Sequence, residues 1–285
     1  MMSIEQDVPL PVKLALENAT HLMFDVDGTL TERQKPLSPE LAQTLARIDK
    51  TLGIATSRAI DELDEIFQGT NFTRSDLIKG PVVIEDGSLV VYPGEKDPTI
   101  QVAEIQAQAI HEMVAYIKKH LSEEPIVDQM WHKLDQIDFP LVHVPSYYSY
   151  QASGSIWQQV IGTPRELDRI MDWCQAAAST LAINHLIQLT EIGDGTLRIS
   201  VPGFSKGTAL GHLHERADLD LSRTVFFGDG RNDLPAAHKI REKGGMVVAV
   251  DKRCRELTDL ANYVCPGTGP TALQKILICS GIVNR

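Results

Sequence analysis

The chain has 285 residues, 43% of them apolar, which suffices for a sizeable core and, at about 150 residues per domain, points to two domains. Its 20 Gly and 15 Pro are average usage, which excludes collagen-like and low-complexity chains. A net charge of −11, with Lys and Arg scattered singly or in pairs, argues against nucleic-acid and anionic-membrane partners.

The N-terminal MMSIEQDVPLPVKLALENA has early acidic residues and no apolar core of signal length. No stretch approaches about 18 uninterrupted apolar residues, so no membrane span is expected. The four cysteines, Cys174, Cys254, Cys265 and Cys279, form no CxxC pair and have no His at zinc-ligand spacing. They read as reduced thiols, and the expected location is cytoplasmic.

In chain order, the first 19 residues read as a helix packed on the domain or as a frayed end. THLMFD (20–25) is a short apolar run that stops at a polar turn. LSPELAQTLARI (37–48) is a helix with Ser38 as N-cap and Pro39 at its first position. LGIAT (52–56), a helical AIDELDEIF (59–67) and PVVIE (81–85) follow. TVFFGD (224–229), MVVAVD (246–251) and NYVC (262–265) repeat the pattern with helices between them. Short β-rich runs alternating with helices predict a doubly wound parallel α/β sheet.

Residues 93–201 read differently, as an inserted α/β domain. A helix is expected over 100–120 and another over 164–178. PLVHVPS (140–146), LAINHLIQL (181–189) and TLRISVP (196–202) read as strands. Pro93-Gly94 marks the exit and Pro202-Gly203 the return. Residues 1–92 and 202–285 then form the core.

Four clusters carry chemistry. At the end of the first run, Asp25-Val26-Asp27-Gly28-Thr29 places Asp25 and Asp27 on one face of an extended segment. That is the carboxyl edge, where open α/β sheets bind ligands. Two carboxylates so close call for a cation or a raised pKa, although Asp and Gly also make ordinary turns. Gly228-Asp229-Gly230-Arg231-Asn232-Asp233 brings further carboxylates and an amide to another strand end, and such a set suits Mg²⁺. Thr56-Ser57-Arg58 precedes a helix, offering either an anion cradle or a simple N-cap. Lys206, where the chain returns from the insert, does not fit a P-loop and taken alone reads as a solvated surface charge.

The ordered set DxDGT, Thr-Ser, Lys and GDGxND resembles the haloacid dehalogenase (HAD) superfamily over residues 20–92 and 202–280. The size and position of the insert resemble the cap of subclass IIB, the Cof-type sugar phosphatases and phosphomannomutases. The resemblance implies that Asp25 is a nucleophile forming an aspartyl-phosphate and that Asp27 is the general acid and base. It implies Mg²⁺ on the Asp25 and Asp229 carboxylates and the Asp27 backbone carbonyl. Thr56, Ser57, Lys206 and Asn232 would hold phosphate oxygens, with Asp233 supporting the metal shell or Lys206.

The chain departs from the family in having Thr-Ser-Arg for Thr-Gly-Arg and Asp86-Gly87 for Asn-Gly. It also has Asp251-Lys252-Arg253-Cys254 in place of a small-residue stretch. In the insert, Trp131, His132, Tyr147, Tyr148 and Tyr150 would either line a sugar cleft or pack a core or dimer contact. The implied function is Mg²⁺-dependent hydrolysis of a small phosphate monoester, with a sugar phosphate the favoured substrate class. A phosphomutase is the alternative, followed by a non-catalytic HAD-like binding protein. Oligomeric state is not encoded legibly.

Overall fold

The structure, a computed structural model, describes residues 8–33, 35–58, 60–95, 98–100, 105–106, 108–110, 112–113, 116, 142–143, 157–161, 164–191 and 196–284. Its elements begin with α1 (Leu10–Asn18), β1 (His21–Phe24), α2 (Pro39–Ala46), β2 (Thr51–Ala55), α3 (Ile60–Glu65), α4 (Arg74–Leu77), β3 (Val82–Ile84), β4 (Leu89–Val91) and β5 (Thr99–Ile100). Next come β6 (Val142–His143), β7 (Trp157–Ile161), α5 (Pro164–Thr180), β8 (Gln188–Glu191) and β9 (Thr196–Ser200). The chain ends with α6 (Lys206–Glu215), β10 (Thr224–Gly228), α7 (Leu234–Glu242), β11 (Met246–Ala249), α8 (Arg255–Leu260), β12 (Tyr263–Val264) and α9 (Gly269–Cys279). Two compact units result, Met1–Thr99 with Ser205–Arg285, and Ile100–Phe204.

The first unit is built on a sheet of order β12-β11-β10-β1-β2-β3-β4-β5. β1 lies at its centre, pairing in parallel with β10 on one side and β2 on the other. β10 with β11, β11 with β12, and β2 with β3 are also parallel, and β4 alone among these registered pairs runs antiparallel, to β3. The six apolar runs read as strands all form strands. Side-chain alternation puts Met23 and Phe226 on one face, in a cluster with Leu210 and Leu213 of α6 and Ala236 and Ile240 of α7. On the opposite face Phe24 and Phe227 stack at 5.0 Å between ring centroids. Each such side chain contributes about 1.5–3 kcal/mol by leaving water.

Local signals fix two helix starts. Ser38 Oγ accepts the amide of Leu41 at 3.1 Å, with Pro39 at the first helical position as the sequence predicts. Ser205 does the same for α6, accepting from the Thr208 amide at 3.1 Å, so Lys206 becomes the first helical residue. The turn between β3 and β4 locks against this start. Gly87 has φ +95°, and a Cβ there would sit 2.2 Å from the Ser205 carbonyl oxygen. Glu85 and Asp86 before it adopt φ of 51° and 54°, a left-handed conformation that costs non-glycine residues about 1–3 kcal/mol each.

The second unit contains a sheet of order β6-β7-β9-β8 with antiparallel pairing throughout. α5 buries Cys174, Ala177 and Ala178. The strand expected over 181–189 is a correction: α5 runs to Thr180, Ala182 turns at φ 57°, and only Gln188–Glu191 is extended. The turn buries only Ile183 and Ile187 of this run, and a short apolar run does not by periodicity separate such a turn from a strand. A strand, β5, opens the segment read as helix over 100–120, and residues 105–106, 108–110, 112–113 and 116 are helical. Trp131, His132, Phe139, Tyr147, Tyr148 and Tyr150 lie outside the described residues.

Candidate active site

β1 and β10 stop side by side: the Asp25 amide donates to the Phe227 carbonyl at 2.9 Å, so Asp25 and Asp229 follow adjacent strand ends. The chain leaves β1 toward β2 on one side and returns through β10 on the other, which makes this pair the topological switch point. Beyond Asp25 the backbone turns tightly at Gly28, φ +88°, where a Cβ would meet Asp229 Oδ2 at 2.3 Å. Any larger residue at 28 would occupy the space of that carboxylate.

Lys206 binds this edge together. Its Nζ donates to Asp25 Oδ1 at 2.5 Å and to Asp233 Oδ1 at 2.7 Å, with the lysine side chain fully buried. Burial alone would push the ammonium down, but Asp233 and Asp25 outweigh it and hold it up, so Lys206 is charged. Asp233 uses its second oxygen to accept the amides of Asp229 and Gly230, at 2.9 and 3.0 Å, which pins the GDGRND loop. A lysine read from sequence as either ligand or solvated charge is thus an internal one.

Asp25, Asp229 and Asp233 each offer a carboxylate oxygen, all within 4.8 Å of one another. Burial, then the Asp233 charge, pushes Asp25 well above the ordinary carboxylate range, with Lys206 opposing. The same two causes push Asp229 up to about 6, with Arg253 opposing. Through direct ion pairs the cluster joins Asp25, Asp229, Asp233 and Asp251 to Lys206 and Arg253. In these ion pairs carboxylates outnumber cations, and the excess negative charge suits a divalent cation. All-oxygen donors at this separation suit a hard ion such as Mg²⁺.

Asp27 is half-buried, and Arg58 holds it through two hydrogen bonds of 2.7 Å. Burial would lower the Arg58 pKa, but the bond to Asp27 and its charge outweigh that and raise it. Thr56 is buried at the end of β2, where its Oγ1 accepts the Arg58 amide at 3.1 Å. Among the described residues neither Ser57 nor Asn232 makes a side-chain hydrogen bond to the carboxylate cluster; both are half-buried at its margin. Sequence reasoning gave no role to Arg58 or Arg253. Arg58 had a signal in its place directly after Thr56-Ser57; Arg253 had none, since it sits where small residues are the rule.

The family model of the haloacid dehalogenase-like hydrolases matches residues 22–139 and 144–277. No curated protein matches the sequence. Similar solved structures include TM0651 from Thermotoga maritima, 18% identical, covering 91% of this chain and 97% of its own, with TM-score 0.62. BT1666 from Bacteroides thetaiotaomicron, described among phosphatases of the HAD superfamily, is 20% identical over 97% and 98% of the two chains, with TM-score 0.62. BT4131, described as a HAD subclass IIB sugar phosphatase, is 18% identical over 93% and 100%, with TM-score 0.60. These likenesses show a shared fold. With the family match spanning most of the sequence, the four clusters at one sheet edge have their explanation: the chain belongs to the haloacid dehalogenase-like hydrolases.

Proposed function

We propose that the protein is a Mg²⁺-dependent phosphatase that hydrolyses a small phosphate monoester, with a sugar phosphate as the favoured substrate class, through an aspartyl-phosphate. The observation that carries this reading is the buried Lys206 bridging Asp25 and Asp233 beside Asp229. A lysine buried between carboxylates is costly unless paired, and here it ties Asp25 and Asp233 into one set beside Asp229. The named activities of BT1666 and BT4131 agree with the reading.

Asp25, Asp229 and the Asp27 carbonyl would hold the ion, which when bound supplies positive charge that keeps Asp25 ionised and admits an anionic substrate. An Asp25 carboxylate oxygen forms the bond to phosphorus as the bond to the leaving alkoxide breaks. Asp27 gives that alkoxide its proton. Water then attacks the aspartyl-phosphate and yields its proton to Asp27, releasing inorganic phosphate and restoring the Asp25 carboxylate. Lys206, Thr56, Ser57 and Asn232 would steady the equatorial oxygens, where phosphoryl transfer gains most of its rate. The scattered positive charge and net −11 suit a free small metabolite in a cytoplasmic setting better than a nucleic acid or a lipid surface.

The experiment is a panel of hexose 1- and 6-phosphates with Mg²⁺, with chelator, and with or without a hexose bisphosphate. Steady phosphate release that chelator abolishes and Mg²⁺ restores supports the phosphatase. Isomer interconversion that outruns phosphate release and needs the bisphosphate would replace it with a mutase. No turnover of any phosphate ester by the Mg²⁺-loaded protein would favour a binding protein.

A further inference from the structure

We propose that Arg253 is the resting counter-ion of Asp229 and sets how tightly the site takes its divalent cation; this rests on the metal reading of the carboxylate cluster given above. Arg253 lies in the turn after β11, in the Asp251-Lys252-Arg253-Cys254 segment that departs from the family pattern. Asp251, itself buried, aims it. Asp251 Oδ1 accepts the Arg253 amide at 2.9 Å and Oδ2 accepts its Nε at 2.7 Å. So oriented, the guanidinium donates from Nη2 to Asp229 Oδ2 at 3.1 Å. That is the oxygen nearest to where a Cβ on Gly28 would stand.

Lys206 and Arg253 differ in their freedom. Lys206 is fully buried between two carboxylates and has nowhere to go. The Arg253 side chain is 56% exposed and gives Asp229 a single hydrogen bond, with Nη1 unpartnered among the described residues. Its exposed side chain has solvent to turn into, and leaving Asp229 breaks one hydrogen bond there. A cation on a ligand carboxylate competes for its lone pairs and offsets its charge, so an incoming ion must displace or outbid it. Arg253 therefore relieves the repulsion of the empty cluster and lowers its affinity for the ion. The pair is partly exposed, so the effect is about tenfold rather than a thousandfold, and weakens as ionic strength rises.

The test is calorimetric titration of Mg²⁺ into the full chain, stripped by chelator and free of substrate. Four forms are compared: wild type, Arg253→Gln, Arg253→Lys and Lys252→Gln. Arg253→Gln should bind Mg²⁺ about tenfold more tightly. Arg253→Lys keeps the charge without the planar fork and should fall between it and wild type. Lys252→Gln removes the same charge from an exposed neighbour and should stay within about twofold, which separates direct contact from net charge. Arg253→Gln binding Mg²⁺ no more tightly than wild type, or matched by Lys252→Gln, overturns the proposal and leaves the phosphatase reading standing. Failure of every form to bind Mg²⁺ overturns the metal reading itself, and this proposal with it.

Discussion

Arg58 grips Asp27 with two parallel hydrogen bonds, Nε to Oδ2 and Nη2 to Oδ1, each 2.7 Å long. Its remaining Nη1 donates to the Glu62 carbonyl of α3 at 3.3 Å, so the fork is anchored on a helix. A planar guanidinium fixes the plane of the carboxylate it binds, which lysine cannot do. As the proposed general acid and base, Asp27 depends on that orientation. Arg58→Ala should lower kcat by about 100-fold with KM changed less than about threefold, and Arg58→Lys should recover only part of the loss. Steady-state kinetics decide it, and a rise in KM at constant kcat would contradict the assignment.

Asp25→Asn should lower kcat by several orders of magnitude, because an amide cannot form the acyl phosphate. Asp25 is only 2% exposed, so survival of the fold rests on an internal balance rather than on a surface position. Losing a carboxylate that burial and Asp233 push upward removes repulsion, and Lys206 keeps Asp233. Circular dichroism should be unchanged and the midpoint of thermal unfolding no lower than wild type. Near-wild-type phosphate release by the pure variant would remove Asp25 as nucleophile.

Lys206→Met should behave in the opposite way. It leaves Asp25 and Asp233 facing each other in the interior without their shared cation. Removing one partner of a buried ion pair costs about 3–5 kcal/mol. Urea denaturation should show that loss in the midpoint, and adding Asp233→Asn should restore part of it. A variant as stable as wild type would mean that the carboxylates do not need the lysine.

Gly28→Ala probes the space kept for Asp229. The backbone there is left-handed and the new methyl would meet Asp229 Oδ2 at 2.3 Å. Strain of about 1–3 kcal/mol is expected, together with displacement of the carboxylate. Denaturant titration and Mg²⁺ titration should both register it, the second as weaker binding.

Burial pushes the Cys174 and Cys265 thiols up to about 12, whereas Cys254 and Cys279 are partly exposed. At pH 8 a thiol of that kind is thiolate on the order of one part in ten thousand. Iodoacetamide on the native protein should therefore label Cys254 and Cys279 alone, with Cys174 and Cys265 labelled only after denaturation. Peptide mass spectrometry reads the pattern, and rapid native labelling of Cys174 would contradict the packing of α5.

The legible part of this protein is what short-range chemistry encodes. Apolar runs ending in Asp marked β1, β10 and β11, one ending in Thr56 marked β2, and Ser38-Pro39 marked the start of α2. Asp25, Asp229 and Asp233 stand out by residue type at those ends and Lys206 at the return from the insert; Lys206 bonds Asp25 and Asp233, and the three carboxylates lie within 4.8 Å of one another. What was illegible depends on reach. Lys206 reads as a surface charge until two distant carboxylates meet it, and tertiary structure alone brings Asp27 to Arg58 and Asp229 to Arg253. LAINHLIQL misled because two buried isoleucines anchor a turn as readily as a strand.

Asp25 and Lys206 lie 181 positions apart, and β1 finds its neighbour β10 only across the whole second unit. A ribosome therefore delivers β1 and β2 long before residues 224–228 exist. Throughout that interval one long side of the apolar strand HLMF has no partner, and such an edge invites association with other chains. Pairing over so many residues is also slow to nucleate. The arrangement that sets the site at the centre of the sheet thus makes the newborn chain dependent on its last quarter, and truncation before Thr224 leaves a fragment whose central strand is permanently half-paired.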